Sequence, residues 1–111
     1  MIGNIAGMMG NYEARLVANT EIDGGIVDTC RVTDSHRQYE TGISHPAYHD
    51  GLWVIVEGYD TKEQAALGHA RWVAALAAKP ARLTDVSECG IARLADALGV
   101  DIRGVYDRKE G

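Results

Sequence analysis

The sequence predicts an α+β domain in which a small antiparallel β-meander of about four strands is followed by two α-helices packed on one face. Three observations lead to this fold class. Runs of alternating apolar and polar residues with glycine-containing turns between them fill the first sixty residues. Residues 60–98 instead show the apolar spacing of helices. The length of 111 residues suits one domain, and 46% hydrophobic with 24% charged residues is typical of a globular chain.

The first three strands are predicted from alternation and turn residues. Residues 12–20 (YEARLVANT) alternate, and the Asp-Gly-Gly turn at 23–25 follows them. Residues 25–33 (GIVDTCRVT) alternate again, so these two runs predict a hairpin. Residues 39–45 (YETGISH) predict a weaker third strand, which Gly42 interrupts.

The strongest strand signal is LWVIVEGY at residues 52–59, which follows the turn HPAYHDG at 45–51. The Asp50-Gly51 pair is a typical turn signal. Five consecutive apolar residues, 52–56, are typical of a strand buried on both faces. We therefore expect this strand to occupy a central position in the sheet.

Two helices are predicted after the last strand. The first begins with a capping box whose cap is either Asp60 or Thr61, and it ends before Pro80. The second covers residues 85–98, and Gly99 is its expected C-terminal cap.

The chain is divided into a flexible N-terminal arm (1–10), a single α+β domain (11–100) and a C-terminal tail (101–111) with an edge strand at 102–106. The arm, MIGNIAGMMG, is apolar and rich in glycine, and it lacks a basic region. We therefore expect neither a secretory signal peptide nor a membrane span there.

Charge and cysteine usage limit the classes of partner. Eleven basic and sixteen acidic residues give a net charge of −5, which disfavours general nucleic-acid binding. Cys30 and Cys89 lack CxxC spacing, so we expect reduced thiols that act as small packing residues. We expect no cofactor and no membrane partner.

Three histidines are the candidates for metal chemistry. His45 and His49 flank a turn, and His69 lies on the apolar face of the first helix, so all three could meet at a zinc site. The simpler interpretation makes His45 and His49 solvated turn residues and His69 a hydrogen-bonded core residue. Since Pro46 disfavours a helix between His45 and His49, we expect no metal.

Contact residues are predicted from the open architecture. A four-stranded sheet with helices on one face leaves a second face and two edges to be covered, and an oligomer or partner commonly covers them. Trp53 and Leu67 are the expected apolar contact residues. Arg15, Arg31 and Arg37 are candidate anion contacts if they share one sheet face.

Three segments resemble a family of small, mostly uncharacterised proteins of tailed phages and prophages: YEARLVANT, ETGISHPAYHDGLWVIVEGYDTKEQAALGHARWV and CGIARLADALG. The likeness covers residues 9–98, and WVIVEGYDTKEQA with GHARWV is its most specific part. The family has no assigned activity, so the resemblance implies only a phage context, in the host cytoplasm or on the virion.

The expected function is that of a non-enzymatic phage accessory protein that works through protein–protein contacts, in virion structure or assembly. Its expected partners are a second copy of itself and a phage or host protein. Two alternatives stay open. One is an anti-defence inhibitor that binds a host protein or a signalling nucleotide, and the other is a small metal-dependent hydrolase that uses the three histidines.

Overall fold

The computed structural model describes residues 12–32, 37–87, 98–99 and 104–109. One antiparallel sheet contains four strands in chain order: β1 (Leu16–Ile22), β2 (Gly25–Arg31), β3 (Tyr39–Ser44) and β4 (Val54–Tyr59). Helix α1 (Lys62–Ala77) packs on one face of this sheet. Two short strands, β5 (Arg82–Thr84) and β6 (Val105–Asp107), form a separate antiparallel pair. The α+β class and the four-stranded meander are therefore confirmed. The predicted arm at residues 1–10 lies outside the described residues.

The predicted hairpin is formed by β1 and β2 around a two-residue turn. Ile22 pairs with Gly25, while Asp23 and Gly24 have φ of 55° and 79°. This left-handed geometry suits Asp and Gly and matches the twist of the flanking strands. The predicted start of β1 is wrong, because residues 12–15 are helical. The hydroxyl of Tyr12 donates to the carboxylate of Asp28, which anchors this helical turn beside β2.

The strand β4 lies at the edge of the sheet and not at its centre. Val54 and Val56 are buried in the core between sheet and helix, whereas Ile55 is only half-buried. Other segments cover the edge of β4, since the amide of Val86 donates to the carbonyl of Ile55 (2.8 Å). The five apolar residues at 52–56 are therefore explained by the segments that cover β4, and they do not indicate a central strand.

The first predicted helix is confirmed, and the structure selects its cap. The hydroxyl of Thr61 accepts a hydrogen bond from the amide of Gln64 (3.1 Å), and the amide of Thr61 donates to the Oε1 of Gln64 (3.3 Å). The helix lies close to the sheet because Gly68 faces the ring of Tyr59 without any side chain between them.

The second predicted helix is not seen where the structure describes its predicted start. Residues 85–87 are not helical, and residues 88–97 lie outside the described residues. Gly99, the predicted cap, has a φ of 76°. The predicted edge strand at 102–106 is observed as β6, displaced toward the C-terminus, and its partner β5 was not predicted.

The core lies between the α1 face of the sheet and the elements that cover it. Its buried residues come from the sheet, from α1, from β5 and from the turn before β4: Val27, Ile43, Tyr48, Val54, Val56, Leu76 and Leu83. Among the helices of the described residues, none has the length and apolarity needed to span a membrane.

Candidate interaction surface and the histidine sites

His45 is buried, with 4% of its surface exposed, which corrects the interpretation of this residue as a solvated turn residue. Its Nδ1 accepts a hydrogen bond from the amide of Ala47 (2.9 Å). Its Nε2 therefore carries a proton, and it donates to the carbonyl of Asp23 (2.7 Å). Both ring nitrogens are thus used to join the β1–β2 turn to the turn that precedes β4.

The same turn also holds the C-terminal strand β6. The ring of His49 lies 3.9 Å from that of Tyr106, measured between centroids. The amide of Lys109 donates to the carbonyl of Ala47 (2.8 Å), and its ammonium group pairs with Asp50. The segment HPAYHDG is therefore a docking point for two other parts of the chain.

His69 lies in a chain of hydroxyl groups between α1 and the sheet. Its Nε2 is 2.9 Å from the Oγ1 of Thr20, and its Nδ1 is 2.8 Å from the Oγ1 of Thr29. The chain continues from Thr29 to Thr41 (2.5 Å) and from Thr41 to the hydroxyl of Tyr59 (3.0 Å). The network joins strands β1 to β4 to the helix.

Burial explains the protonation states in this network. Desolvation lowers the pKa of His69 below its usual value of 6.5, although the nearby Asp28 opposes this shift. Desolvation also raises the pKa of Tyr59 to about 12. The neutral forms of both groups are favoured, and neither side chain is an ionised catalyst near neutral pH. The expected core role of His69 agrees with this geometry.

The structure does not bring the three candidate histidines together. Among the residues that the structure describes, no group of three or more His, Cys, Asp or Glu side chains has an arrangement that would hold a metal ion. His45, His49 and His69 each contact a different set of neighbours. The geometry therefore gives no support to the metal-dependent hydrolase.

Cys30 has the environment of an unreactive thiol. Its pKa is raised to about 11, first by burial and then by the carboxylates of Asp28 and Glu40, while Arg15 opposes the shift. A nucleophilic cysteine needs the reverse, a positive environment that stabilises the thiolate. The expected packing role of Cys30 agrees with this. Cys89 lies outside the described residues.

The three candidate arginines lie at one end of the sheet but do not share one face. Arg31 ends β2, and strand alternation places it on the side of Val27 and Thr29, which face α1. Arg15 acts on Cys30, which faces the opposite side. Arg37 lies against Gly58 and pairs with Asp60 (3.6 Å). They therefore do not form one anion site.

Trp53 lies on the face of the sheet that α1 does not cover. Thr41 and Ile43 point into the core, so Gly42 between them faces the other side of the sheet. Because glycine has no side chain, Trp53 and Ile55 can approach the backbone there. If Gly42 carried a Cβ, that atom would lie 3.3 Å from the Trp53 ring and 3.3 Å from the side chain of Ile55.

This tryptophan presents a large apolar surface to solvent. Trp53 is 50% exposed and the adjacent Leu52 is 60% exposed. Leu52 was not predicted as a contact residue; its position directly after the Asp50-Gly51 turn, outside the strand, is the signal that would have identified it. We call Leu52 and Trp53 the Trp53 patch.

Leu67 does not belong to the Trp53 patch. It is 70% exposed on α1 and borders a shallow groove of about 350 Å³ with Arg37, Tyr59 and Arg71. The two predicted apolar contact residues are therefore on different surfaces, and each needs its own explanation.

No family model, no curated protein and no solved structure matches this chain. The resemblance to phage and prophage proteins therefore stays a prediction.

Proposed function

We propose that this chain is a non-enzymatic accessory protein of a phage or prophage that binds another protein through the Trp53 patch, as part of a virion or its assembly. The observation that carries this proposal is the half-exposed indole of Trp53, which packs against Gly42 and is next in the chain to the exposed Leu52. Large aromatic side chains at the centre of an interface commonly contribute most of the binding energy.

The face that carries Trp53 holds charges of both signs. Asp28 pairs with Gly42 in the sheet, and Glu40 lies two residues before it on β3, so both carboxylates are on this face. Asp28 accepts hydrogen bonds from Tyr12 and Asn19, and Arg15 acts on Cys30 from the same side. The indole is therefore the group of this face that we expect a partner to cover, and an apolar or cationic side chain can stack on it.

An indole fixed on a sheet suits binding more than catalysis. Its ring is rigid, so little conformational entropy is lost when a partner covers it. The buried polar groups are used in structural hydrogen bonds, and among the described residues no buried side-chain polar atom lacks a partner. The described part of the chain therefore offers a contact surface and no assembled set of reactive groups.

The test is quantitative mass spectrometry of particles purified on a density gradient from the phage or induced prophage whose genome encodes this chain. We expect the wild-type chain at a constant number of copies per particle. Trp53→Ser should raise the dissociation constant about 30-fold, the effect of losing about 2 kcal/mol, and should therefore lower that number. Val105→Ser, which alters a side chain of similar exposure (53%) on β6, should leave it unchanged.

Two outcomes would contradict the proposal. Absence of the wild-type chain from purified particles would reject the virion role. Equal incorporation of the Trp53→Ser and wild-type chains would reject the Trp53 patch as the contact surface. A conservative variant, Trp53→Tyr, keeps a ring on Gly42 and should retain most of the binding, which separates a lost contact from a lost fold.

A further inference from the structure

The solvent-facing side of α1 is apolar over most of its length. Residues 65–78 contain a single charged residue, Arg71. The side chain of Arg71 is directed to Glu57 of β4, whose Oε1 accepts from its Nη2 (3.1 Å). A surface helix normally carries charged or polar residues on its solvent face. This helix instead has two low-polarity sides, of which the sheet covers only one.

The exposed apolar residues follow the spacing of a helix–helix contact. Four exposed residues, Leu67, Ala70, Ala74 and Ala77, are separated by three, four and three positions. This is the spacing of the a and d positions of a coiled coil, which face a partner helix. We call these four residues the α1 seam. Leu67 is 70% exposed, while the alanines leave room for a neighbouring backbone to approach.

The charges at the two ends of the seam identify the partner helix. Glu63 lies one turn before Leu67, and Lys79 follows the end of α1. Both are exposed, and no ion pair involves either of them among the described residues. If a second copy packs antiparallel, each Glu63 lies near the other Lys79, whereas parallel packing would place the two Glu63 side chains together. Antiparallel packing also points the two helix dipoles in opposite directions, which is electrostatically favourable.

We propose that two copies of this chain form a dimer by antiparallel packing of their α1 seams. In the register that brings Glu63 toward Lys79, Leu67 of each copy lies opposite Ala74 and Ala75 of the other, a large side chain against small ones. The two Arg71 side chains then flank the two-fold axis, and each is paired with Glu57 of its own copy. The contact does not involve the Trp53 patch, so the dimer presents two such patches. Because the seam is narrow and mostly alanine, we expect a reversible dimer with a dissociation constant between about 1 µM and about 1 mM.

The experiment is sedimentation equilibrium of the full chain from about 1 µM to about 1 mM, which spans binding free energies of roughly 4 to 8 kcal/mol. The wild-type chain should change from monomer to dimer in this range. Leu67→Glu should raise the dissociation constant by at least about 30-fold, because it places two carboxylates in the contact. Leu52→Glu makes the same chemical change at a residue of similar exposure (60%) on the other surface and should leave the constant unchanged.

A charge exchange tests the orientation. Glu63→Lys and Lys79→Glu should each raise the dissociation constant about 2- to 30-fold, because each removes two exposed ion pairs and creates like-charge contacts. The double variant should restore the wild-type constant, since the pairs are re-formed with reversed signs. Both substitutions are at exposed positions, so circular dichroism should show the native helix content in all three variants.

Three results would overturn the dimer. The first is a monomer at every concentration. The second is a dimer that Leu52→Glu disrupts and Leu67→Glu does not, which would assign self-association to the Trp53 patch. The third is a double charge variant that dimerises no better than the single variants, which would reject the antiparallel register. None of these results bears on incorporation into particles, so the two proposals fail separately.

Discussion

His69 is predicted to be the most costly polar residue of the core to replace. It is 6% exposed and joins α1 to β1 through Thr20 and to β2 through Thr29. In His69→Ala the two hydrogen bonds are lost, at about 1 kcal/mol each, and the missing ring leaves a cavity that costs about 1–3 kcal/mol more. The free energy of unfolding should therefore fall by about 3–5 kcal/mol, a large part of the stability of a small domain.

Urea denaturation followed by circular dichroism measures this loss, with the m-value checked for constancy. Thr20→Val is the matched variant, since it removes only one of the two partners of His69 and should cost about 1 kcal/mol. The double variant should be less destabilised than the sum by about 1 kcal/mol, because the Thr20–His69 bond is counted twice in that sum. A loss below about 1 kcal/mol in His69→Ala would refute the structural role of the network.

The pH dependence of stability gives an independent reading of the same residue. Burial lowers the pKa of His69 in the folded chain, so between that pKa and 6.5 the unfolded chain binds more protons. The contribution of neutral His69 is complete above pH 6.5 and is lost as the pH falls through 6.5 toward the folded pKa. The difference in stability between the wild type and His69→Gln should therefore shrink on acidification, by at most about 1.4 kcal/mol per pH unit. A difference independent of pH from 7.5 to 5 would contradict the burial of a neutral ring.

Three further predictions concern the helix and the buried thiol. Thr61→Ala removes the cap of α1 and should cost about 1 kcal/mol in the free energy of unfolding, and an unchanged urea midpoint would argue against the capping box. Gly68→Ala places a methyl group against the ring of Tyr59. It should lower the free energy of unfolding by about 1–3 kcal/mol, although alanine has the better helix propensity. A higher free energy of unfolding would show that the helix lies farther from the sheet. In a Cys89→Ser background, Cys30 should react with iodoacetamide at pH 8 roughly 100-fold more slowly than free cysteine, because the pKa of Cys30 is raised to about 11. A rate like that of the free amino acid would refute the burial of this thiol.

Local residues were enough to predict several elements. Asp23 and Gly24 adopt the left-handed backbone of a tight hairpin turn, which few other residues adopt at little cost. The capping box at Thr61 is a contact within four residues, and Pro80 follows the observed end of α1. These features depend on side chains and backbone groups that are close in sequence, so the pattern of residues was sufficient.

The candidate contact residues were predicted one by one but not as surfaces. Trp53 and Leu67 were predicted as apolar contact residues from their places in a strand and on a helix. Whether they share one surface depended on how α1 lies on the sheet. Once α1 covers the face of Thr29 and Thr41, Trp53 on the opposite face and Leu67 on the outer side of the helix cannot belong to one patch.

The sequence by itself determined the meander, its turns and the first helix, because alternation, glycine and capping residues act over short distances. Only the tertiary structure decided that β4 lies at an edge and that His45 is buried. A run of apolar residues indicates how much apolar surface must be removed from water, but it does not indicate which segment of the chain covers that surface. Here the cover comes from Val86, β5 and β6, which return from far along the chain to close over β4 and the turn before it.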